Sequence, residues 1–149
     1  MLGIVQWWDV HNRALGVVKS GRKTYLAIAK DIAGDCYGRK YLVKGERCSF
    51  ESGTRDGNPI ALLVNPDRPE VYDPEYRETG ELLSWHNDRG TGYGVVRRYL
   101  FNHFAYVSAD EIETLGEATL HRGSEIRFGL LPPRDGEELF RAVAVEIFI

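Results

Sequence analysis

Aromatic side chains, glycines and arginines are concentrated between residues 89 and 108. This segment reads R-G-T-G-Y-G-V-V-R-R-Y-L-F-N-H-F-A-Y-V-S, which predicts two short strands joined by a turn. Exposed aromatic rings stack on nucleic-acid bases, and guanidinium groups neutralise phosphates. The flanking arginines are Arg89, Arg97 and Arg98. These residue types favour binding of unstacked bases and their phosphates over a chemical reaction.

The phase of the two predicted strands decides which rings share a face. Because successive strand side chains point to opposite sides, Tyr93 and Val95 share one side. By the same rule Phe101 shares a side with His103. The intervening glycines are Gly90, Gly92 and Gly94. They would leave room for a flat ligand against the backbone. A half-buried strand explains any single ring equally well, and the dense cluster favours binding.

The residues before position 67 predict five strands and no helix. The predicted strands cover residues 3–10, 12–18, 24–29, 47–51 and 60–64. Residues 52–59, S-G-T-R-D-G-N-P, predict a loop between the last two strands. Residues 67–79 are rich in proline and acidic side chains and predict a stiff, extended linker.

The pattern of the first half begins again after Gly80. Trp85 is matched with Trp7. The other matched segments are residues 14–18 with 92–96, 25–28 with 101–104, 42–50 with 120–128, and 60–64 with 141–145. The repeat predicts an all-β chain of two five-stranded units in tandem, residues 1–66 and 80–149, on either side of the linker.

The order of these motifs resembles the cold-shock domain, a five-stranded OB-fold barrel that binds single strands. The segment G-I-V-Q-W-W-D-V resembles the family's opening strand, G-T-V-K-W-F-N. The segments R-G-T-G-Y-G-V-V and Y-L-F-N-H-F resemble its two nucleic-acid-binding motifs, K-G-[FY]-G-F-[IV] and D-[IV]-F-[VA]-H-[FY]. The later family signatures occur in both halves. The resemblance implies tandem OB-folds that bind single-stranded DNA or RNA.

The resemblance also implies which side chains face the nucleic acid. It places Phe104 on the binding face, whereas strict alternation from Phe101 and His103 turns Phe104 inward. Val95 stands where the family usually has a second phenylalanine. In the first repeat, non-aromatic residues stand at several aromatic or histidine positions, namely Leu15, Val17, Ala27 and Ile28. The predicted binding residues are Trp85, Arg89, Tyr93, Val95, Arg97, Phe101, His103, Phe104, Trp7, Tyr25, Lys19, Arg22 and Lys23.

The net charge of −3 conceals an asymmetry along the chain. Residues 1–66 carry 10 basic and 6 acidic side chains, and residues 67–149 carry 9 basic and 16 acidic ones. This difference predicts a division of labour, in which the basic first repeat holds the backbone and the second repeat stacks bases. A patch of Leu15, Val17 and Ile28 is the alternative for the first repeat, packed on the other repeat or on a second copy of the chain.

The remaining motifs argue against other classes of function. The four histidines have no metal-ligand spacing, and no nucleophile and base are paired, so we expect neither an enzyme nor a bound metal or other cofactor. Cys36 and Cys48 are expected to be reduced. Without a long apolar run or a signal-peptide pattern, we expect a cytoplasmic protein. The rival hypothesis is a protein-interaction module whose aromatic patch is the interface.

Overall fold

A computed structural model of the chain describes residues 1–11, 14–33, 39–87, 92–99, 103–113 and 120–147. The chain divides into two compact units, Met1–Asp73 and Pro74–Ile149. Each unit contains a closed barrel of five strands. The predicted all-β fold of two five-stranded OB-fold-like barrels is therefore confirmed. Within the described ranges, no helix is long and apolar enough to cross a membrane.

The first barrel alternates buried and exposed side chains along its strands. Its strands are β1 (Leu2–Trp8), β2 (Leu15–Ser20), β3 (Lys23–Ile28), β4 (Arg47–Arg55) and β5 (Asn58–Pro66). They follow the order β1-β2-β3-β5-β4 around the barrel, with a parallel pairing between β3 and β5. Val5, Val18 and Phe50 point inward and fill the core.

The second barrel repeats this topology. Its strands are β6 (Glu78–His86), β7 (Tyr93–Arg98), β8 (Phe104–Ser108), β9 (Glu125–Leu131) and β10 (Phe140–Ile147). The order is β6-β7-β8-β10-β9, and β8 pairs in parallel with β10. Leu82, Val96 and Phe128 occupy the core.

The loop predicted at residues 52–59 is wrong in extent. Strand β4 continues to Arg55 and β5 begins at Asn58, so only Asp56 and Gly57 form the turn. Both have positive φ angles, 52° and 81°. An Asp-Gly pair in this conformation is typical of the two-residue turn that joins twisted antiparallel strands.

Two parts of the predicted repeat are confirmed by equivalent backbone geometry. Gly45 donates its N–H to the Val5 carbonyl at 2.7 Å, and Gly123 donates to the Leu82 carbonyl at 2.7 Å. These turns match residues 42–50 with 120–128. Leu63 in β5 and Ala144 in β10 both have positive φ, 48° and 51°, inside a bulge. This agreement matches residues 60–64 with 141–145.

Two other matches are wrong in register. Trp85 lies opposite Gly94 as Trp8 lies opposite Gly16, so the counterpart of Trp85 is Trp8 and not Trp7. The position equivalent to Trp7 is Ser84, since Ser84 pairs with Val95 as Trp7 pairs with Val17. A slip of one residue on a strand moves a side chain to the opposite face.

The second wrong match concerns β3 and β8. Tyr25 pairs with Val18, and Ala105 pairs with Val96 at the equivalent position of the second barrel. Residues 25–28 therefore correspond to 105–108 and not to 101–104. The displacement is four residues. Tyr25 is therefore equivalent to Ala105 and not to the predicted Phe101.

The proline-rich segment 67–79 is divided between the two units, and side chains hold each part. Arg39 is buried, and its guanidinium donates to the carbonyls of Arg68 and Pro69 and forms two hydrogen bonds with Glu46. In the second unit, Tyr76 and Glu78 are buried. Buried side chains therefore hold both ends of the segment, Arg39 at residues 68–69 and Tyr76 and Glu78 near its end.

Candidate functional site

The outward side of the β7–β8 hairpin carries the candidate site. Its residues face one another in three cross-strand pairs, Tyr93 with Ser108, Val95 with Tyr106, and Arg97 with Phe104. We call these six residues the β7–β8 face. The intervening side chains point into the barrel and are buried, among them Val96, Ala105 and Val107. The strict alternation of both strands thus separates the face from the core.

Two large rings of the β7–β8 face are exposed. Phe104 is 40% exposed and Tyr106 is 36% exposed, and both belong to β8. They lie two positions apart on one strand, which separates their Cα atoms by about 7 Å. Val95 and Arg97 of β7 lie opposite these rings. The result is a shallow surface of ring faces with a guanidinium at one end.

A third ring stands at the other end of the face. Tyr93 is half-buried, and its ring centroid lies 5.1 Å from that of His86, with an angle of 31° between the planes. His86 is exposed at the end of β6 and pairs with Tyr93 across the strands. This contact holds the Tyr93 ring in place beside a second planar group.

Arg97 supplies the positive charge of the face. Its guanidinium lies 3.7 Å from the Glu81 carboxylate and 5.6 Å from the ring centre of Tyr99. Both partners of the ion pair are exposed to solvent, and such pairs contribute little to stability. A phosphate can therefore compete with Glu81 for this guanidinium at small cost.

Arg98 does not lie beside the rings, where the sequence pattern predicts it. The side chain is fully buried, and its Nε lies 2.6 Å from a carboxylate oxygen of Glu78. Burial raises the pKa of the Glu78 carboxyl, and the Arg98 guanidinium opposes that shift. Because Arg97 points outward, the alternation of β7 directs Arg98 into the barrel.

Gly94 also has a different role from the predicted one. It faces inward, where a Cβ atom would overlap the Ser84 carbonyl oxygen and lie 3.1 Å from the Trp85 ring. Gly16 meets Trp8 in the same way in the first barrel. The missing side chain makes room for the bulged strand and its tryptophan rather than for a ligand. Trp85 is half-buried on this inward side and is not part of the β7–β8 face.

The remaining residues predicted in the second repeat have varied positions. Arg89 and Phe101 lie outside the described residues. His103 is exposed just before β8, and its carbonyl accepts a hydrogen bond from the Arg98 N–H. Phe104 points outward, contrary to the alternation argument, because β8 begins at Phe104 and pairs this residue with Arg97 on the outward side of β7.

Sequence reasoning missed Tyr106 and His86. A signal for Tyr106 was present in the chain. Residues 29–32 read A-K-D-I and residues 109–112 read A-D-E-I, and both segments begin with a short 3-10 turn. Aligning these two segments would have matched Tyr106 with Leu26 on the outward side.

The equivalent face of the first barrel is largely aliphatic. It carries Leu15, Val17, Lys19, Thr24, Leu26 and Ile28. Trp7 is 43% exposed and pairs with Val17, which adds one ring from β1. Tyr25 is only 5% exposed, and its ring packs 5.0 Å from that of Phe50 inside the barrel. Tyr25 is therefore a core residue, because β3 turns it inward.

The predicted basic residues of the first repeat lie together. Lys19, Arg22 and Lys23 are all exposed at the end of the β2–β3 hairpin. Lys19 belongs to the outward side of β2 and pairs with Thr24. The hairpin end is thus a compact cluster of positive charge next to an aliphatic surface.

No protein-family model and no curated protein matches the chain. Among solved structures it is similar to Drosophila Unr CSD456, with 17% identity and a TM-score of 0.39 over 99% of this chain and 60% of that one. A multidomain protein with nucleic acid binding domains from Streptococcus pneumoniae gives 15% identity and a TM-score of 0.35, over 96% and 44%. The tetrameric p202 HIN2 gives 8% identity and a TM-score of 0.34, over 100% and 91%.

The chain thus spans 60% and 44% of the length of the first two structures. Overall similarity at these scores is low. The fold is established by the strand order and register of the chain itself.

Proposed function

We propose that the chain binds single-stranded DNA or RNA through the β7–β8 face, with little preference for sequence. The observation that supports this proposal is the pair of exposed rings, Phe104 and Tyr106, on one strand beside Arg97. Stacking of a base on an aromatic ring contributes about 1–3 kcal/mol and tolerates any base. In this proposal the chain acts by binding alone, without a catalytic step or a cofactor, and shifts the equilibrium between duplex and single strand.

The charge distribution favours stacking over phosphate contact at this face. The second unit, residues 74–149, carries 13 acidic and 8 basic side chains, so it does not attract a polyanion by its overall charge. The basic cluster of Lys19, Arg22 and Lys23 on the first barrel is suited to the backbone of the same strand. In this proposal the first barrel contacts phosphates through its basic cluster, and the β7–β8 face stacks bases and adds a single phosphate contact through Arg97.

The test is a titration of end-labelled oligo-dT and oligo-U with the intact chain, followed by fluorescence anisotropy. Tryptophan fluorescence is a poor probe, because Trp8 and Trp85 point inward and Trp7 belongs to the first barrel. We expect saturable binding of both oligomers that weakens with added salt. Absence of binding to either oligomer at low salt would reject the proposal, and the ratio of the two affinities shows whether DNA or RNA is preferred.

A second candidate function is protein interaction through the first barrel. Its outward side carries the exposed ring of Trp7 and the exposed aliphatic side chains of Ile4 and Leu26, which favour this function. Leu15, Val17 and Ile28 continue that surface, and a second copy of the chain is one occupant that can cover it. Sedimentation equilibrium of the original chain and of its Leu26→Lys variant shows whether this surface binds a second copy of the chain. A dimer that Leu26→Lys dissociates supports this function, and a monomer at all concentrations argues against self-association.

A further inference from the structure

A cavity of about 170 Å³ opens beside Tyr106 and Ser108, towards the end of the β7–β8 face that carries Tyr93. Strand β8 contributes Tyr106, and the 3-10 turn that follows contributes Asp110 and Glu111. The opposite wall comes from the loop before β10 and from the start of that strand. The cavity is therefore continuous with the stacking surface and lies where a strand that stacks on Tyr106 would continue.

The cavity contains hydrogen-bond donors and acceptors together. The donors are Arg134 and Arg141, and the acceptors are Asp110, Glu111 and Glu137. In the part of the chain that the structure describes, none of these five side chains forms an ion pair. Arg141 is held in place, because its Nε donates to the Pro132 carbonyl at 3.0 Å and the residue pairs with Tyr106 across β10 and β8.

The balance of charge excludes a phosphate as the preferred occupant. Three carboxylates face two guanidinium groups, so the cavity has a net negative charge. Carboxylates repel phosphates and accept hydrogen bonds from the amino and ring N–H groups of bases. The edge of a base therefore fits this cavity better than the backbone does.

We propose that the cavity binds one guanine base of a single strand whose other bases stack without selection on the β7–β8 face, an inference that rests on the proposed function. Guanine has adjacent N1–H and N2 amino donors, which one carboxylate can accept together, and its O6 and N7 accept from arginine. Uracil and thymine have no amino group. Adenine has no carbonyl oxygen, and cytosine has a single amino donor beside its acceptors. Guanine alone combines two adjacent donors, which fit a carboxylate, with two acceptors, which fit an arginine.

The first measurement compares oligo-U with the same oligomer carrying one central guanosine. A bidentate contact to a base discriminates by about 1–3 kcal/mol, so we expect roughly 5- to 150-fold tighter binding of the guanosine oligomer. Inosine lacks the N2 amino group, and an inosine oligomer should lose most of this preference. These comparisons leave the protein unchanged and do not depend on the folding of a variant.

The second measurement repeats the comparison with Glu111→Gln. We expect the ratio of the two affinities to fall towards one, because an amide accepts through one oxygen only. Glu113→Gln is the matched control, since Glu113 is an exposed carboxylate two residues away that does not line the cavity. Its ratio should equal that of the original chain. Glu137→Gln is the second cavity variant, and it should also lower the ratio.

The outcomes separate the inference from the proposed function. Equal affinity for the guanosine and all-uridine oligomers, or a guanosine preference that Glu111→Gln, Glu137→Gln and Asp110→Asn all retain, overturns the guanine site. The proposed function still stands in that case if oligo-U binding requires Phe104 and Tyr106. Failure of every oligomer to bind overturns both.

Discussion

At the residue scale, Phe104 and Tyr106 can be tested against an internal control, because the first barrel has Thr24 and Leu26 at the equivalent positions. We expect Phe104→Ala and Tyr106→Ala each to weaken oligonucleotide binding by about 1–3 kcal/mol, the value of one stacked base. Anisotropy titrations at one salt concentration measure this loss.

The controls are Thr24→Ala and Leu26→Ala, which remove side chains from the same positions of the other barrel. They should change affinity by much less than one stacked base contributes, about 1–3 kcal/mol, because neither removes a ring. Similar losses from both barrels would show that the β7–β8 face has no special part in binding.

Cys48 gives a prediction about pH and stability. The thiol is 1% exposed, and burial raises its pKa from 9.0 to about 11, with Glu46 and Asp67 adding to the increase. A raised pKa in the folded state stabilises the protein below pH 9, and this contribution is lost as the pH rises from 9 to 11. A pKa difference of this size between the folded and unfolded states corresponds to about 2–3 kcal/mol.

Urea unfolding at several pH values measures this effect. The free energy of unfolding should fall more steeply between pH 9 and 11 for the original chain than for Cys48→Ala. The difference in slope is the relevant quantity, because lysines and tyrosines titrate in both proteins. Parallel curves would show that the thiolate is tolerated in the barrel.

At the scale of elements, the turns and the phase of β7 were predictable from the sequence, and the phase of β8 was not. Gly45 and Gly123 have positive φ, 88° and 93°, which marks both turns by residue type alone. The phase of β8 is set by its pairing with β7, in which Phe104 lies opposite Arg97, and alternation within β8 does not specify that pairing. Bulges in β1 and β6 also break the alternation by one residue, so the inward side of Trp8 and Trp85 does not follow from counting along either strand.

The bulge in β5 leads to a stability prediction. Leu63 is 56% exposed and has a φ of 48°, a conformation that costs a side chain with a Cβ atom about 1–2 kcal/mol. Leu63→Gly removes this cost, which exceeds the added backbone entropy of glycine, about 0.5–1 kcal/mol. We expect a net gain of roughly 0.5 kcal/mol in the free energy of unfolding.

Thermal and urea unfolding provide the measurement. Leu62→Gly is the control, because Leu62 precedes Leu63 on β5, has an ordinary φ and is half-buried. That variant should lose stability. A loss of the same size from Leu63→Gly would mean that the exposed leucine contributes more by its contacts than its backbone costs.

At the scale of the whole molecule, the two barrels differ in charge and in the chemistry of their outward faces. This difference predicts separate effects on affinity and on its salt dependence. Replacing Lys19, Arg22 and Lys23 together by glutamine should reduce the slope of log K against log salt by about 2, since each phosphate contact to a single strand contributes about 0.7. Tyr106→Ala should lower affinity without changing the slope.

Titrations across a range of salt concentrations distinguish these effects. An unchanged slope in the triple variant would show that the hairpin end of the first barrel does not contact the backbone. The stacking role of the second barrel is independent of that result, because it is measured at constant salt.

The most direct test of the central claim is photo-crosslinking of the intact chain to an oligomer with 5-iodouridine at every position, followed by peptide mass spectrometry. This base crosslinks to aromatic rings that stack on it. We expect crosslinked peptides that contain Tyr93, Phe104 or Tyr106. Crosslinks confined to the peptide that contains Trp7, or none at a concentration where the oligomer is bound, would contradict the assignment of base stacking to the β7–β8 face.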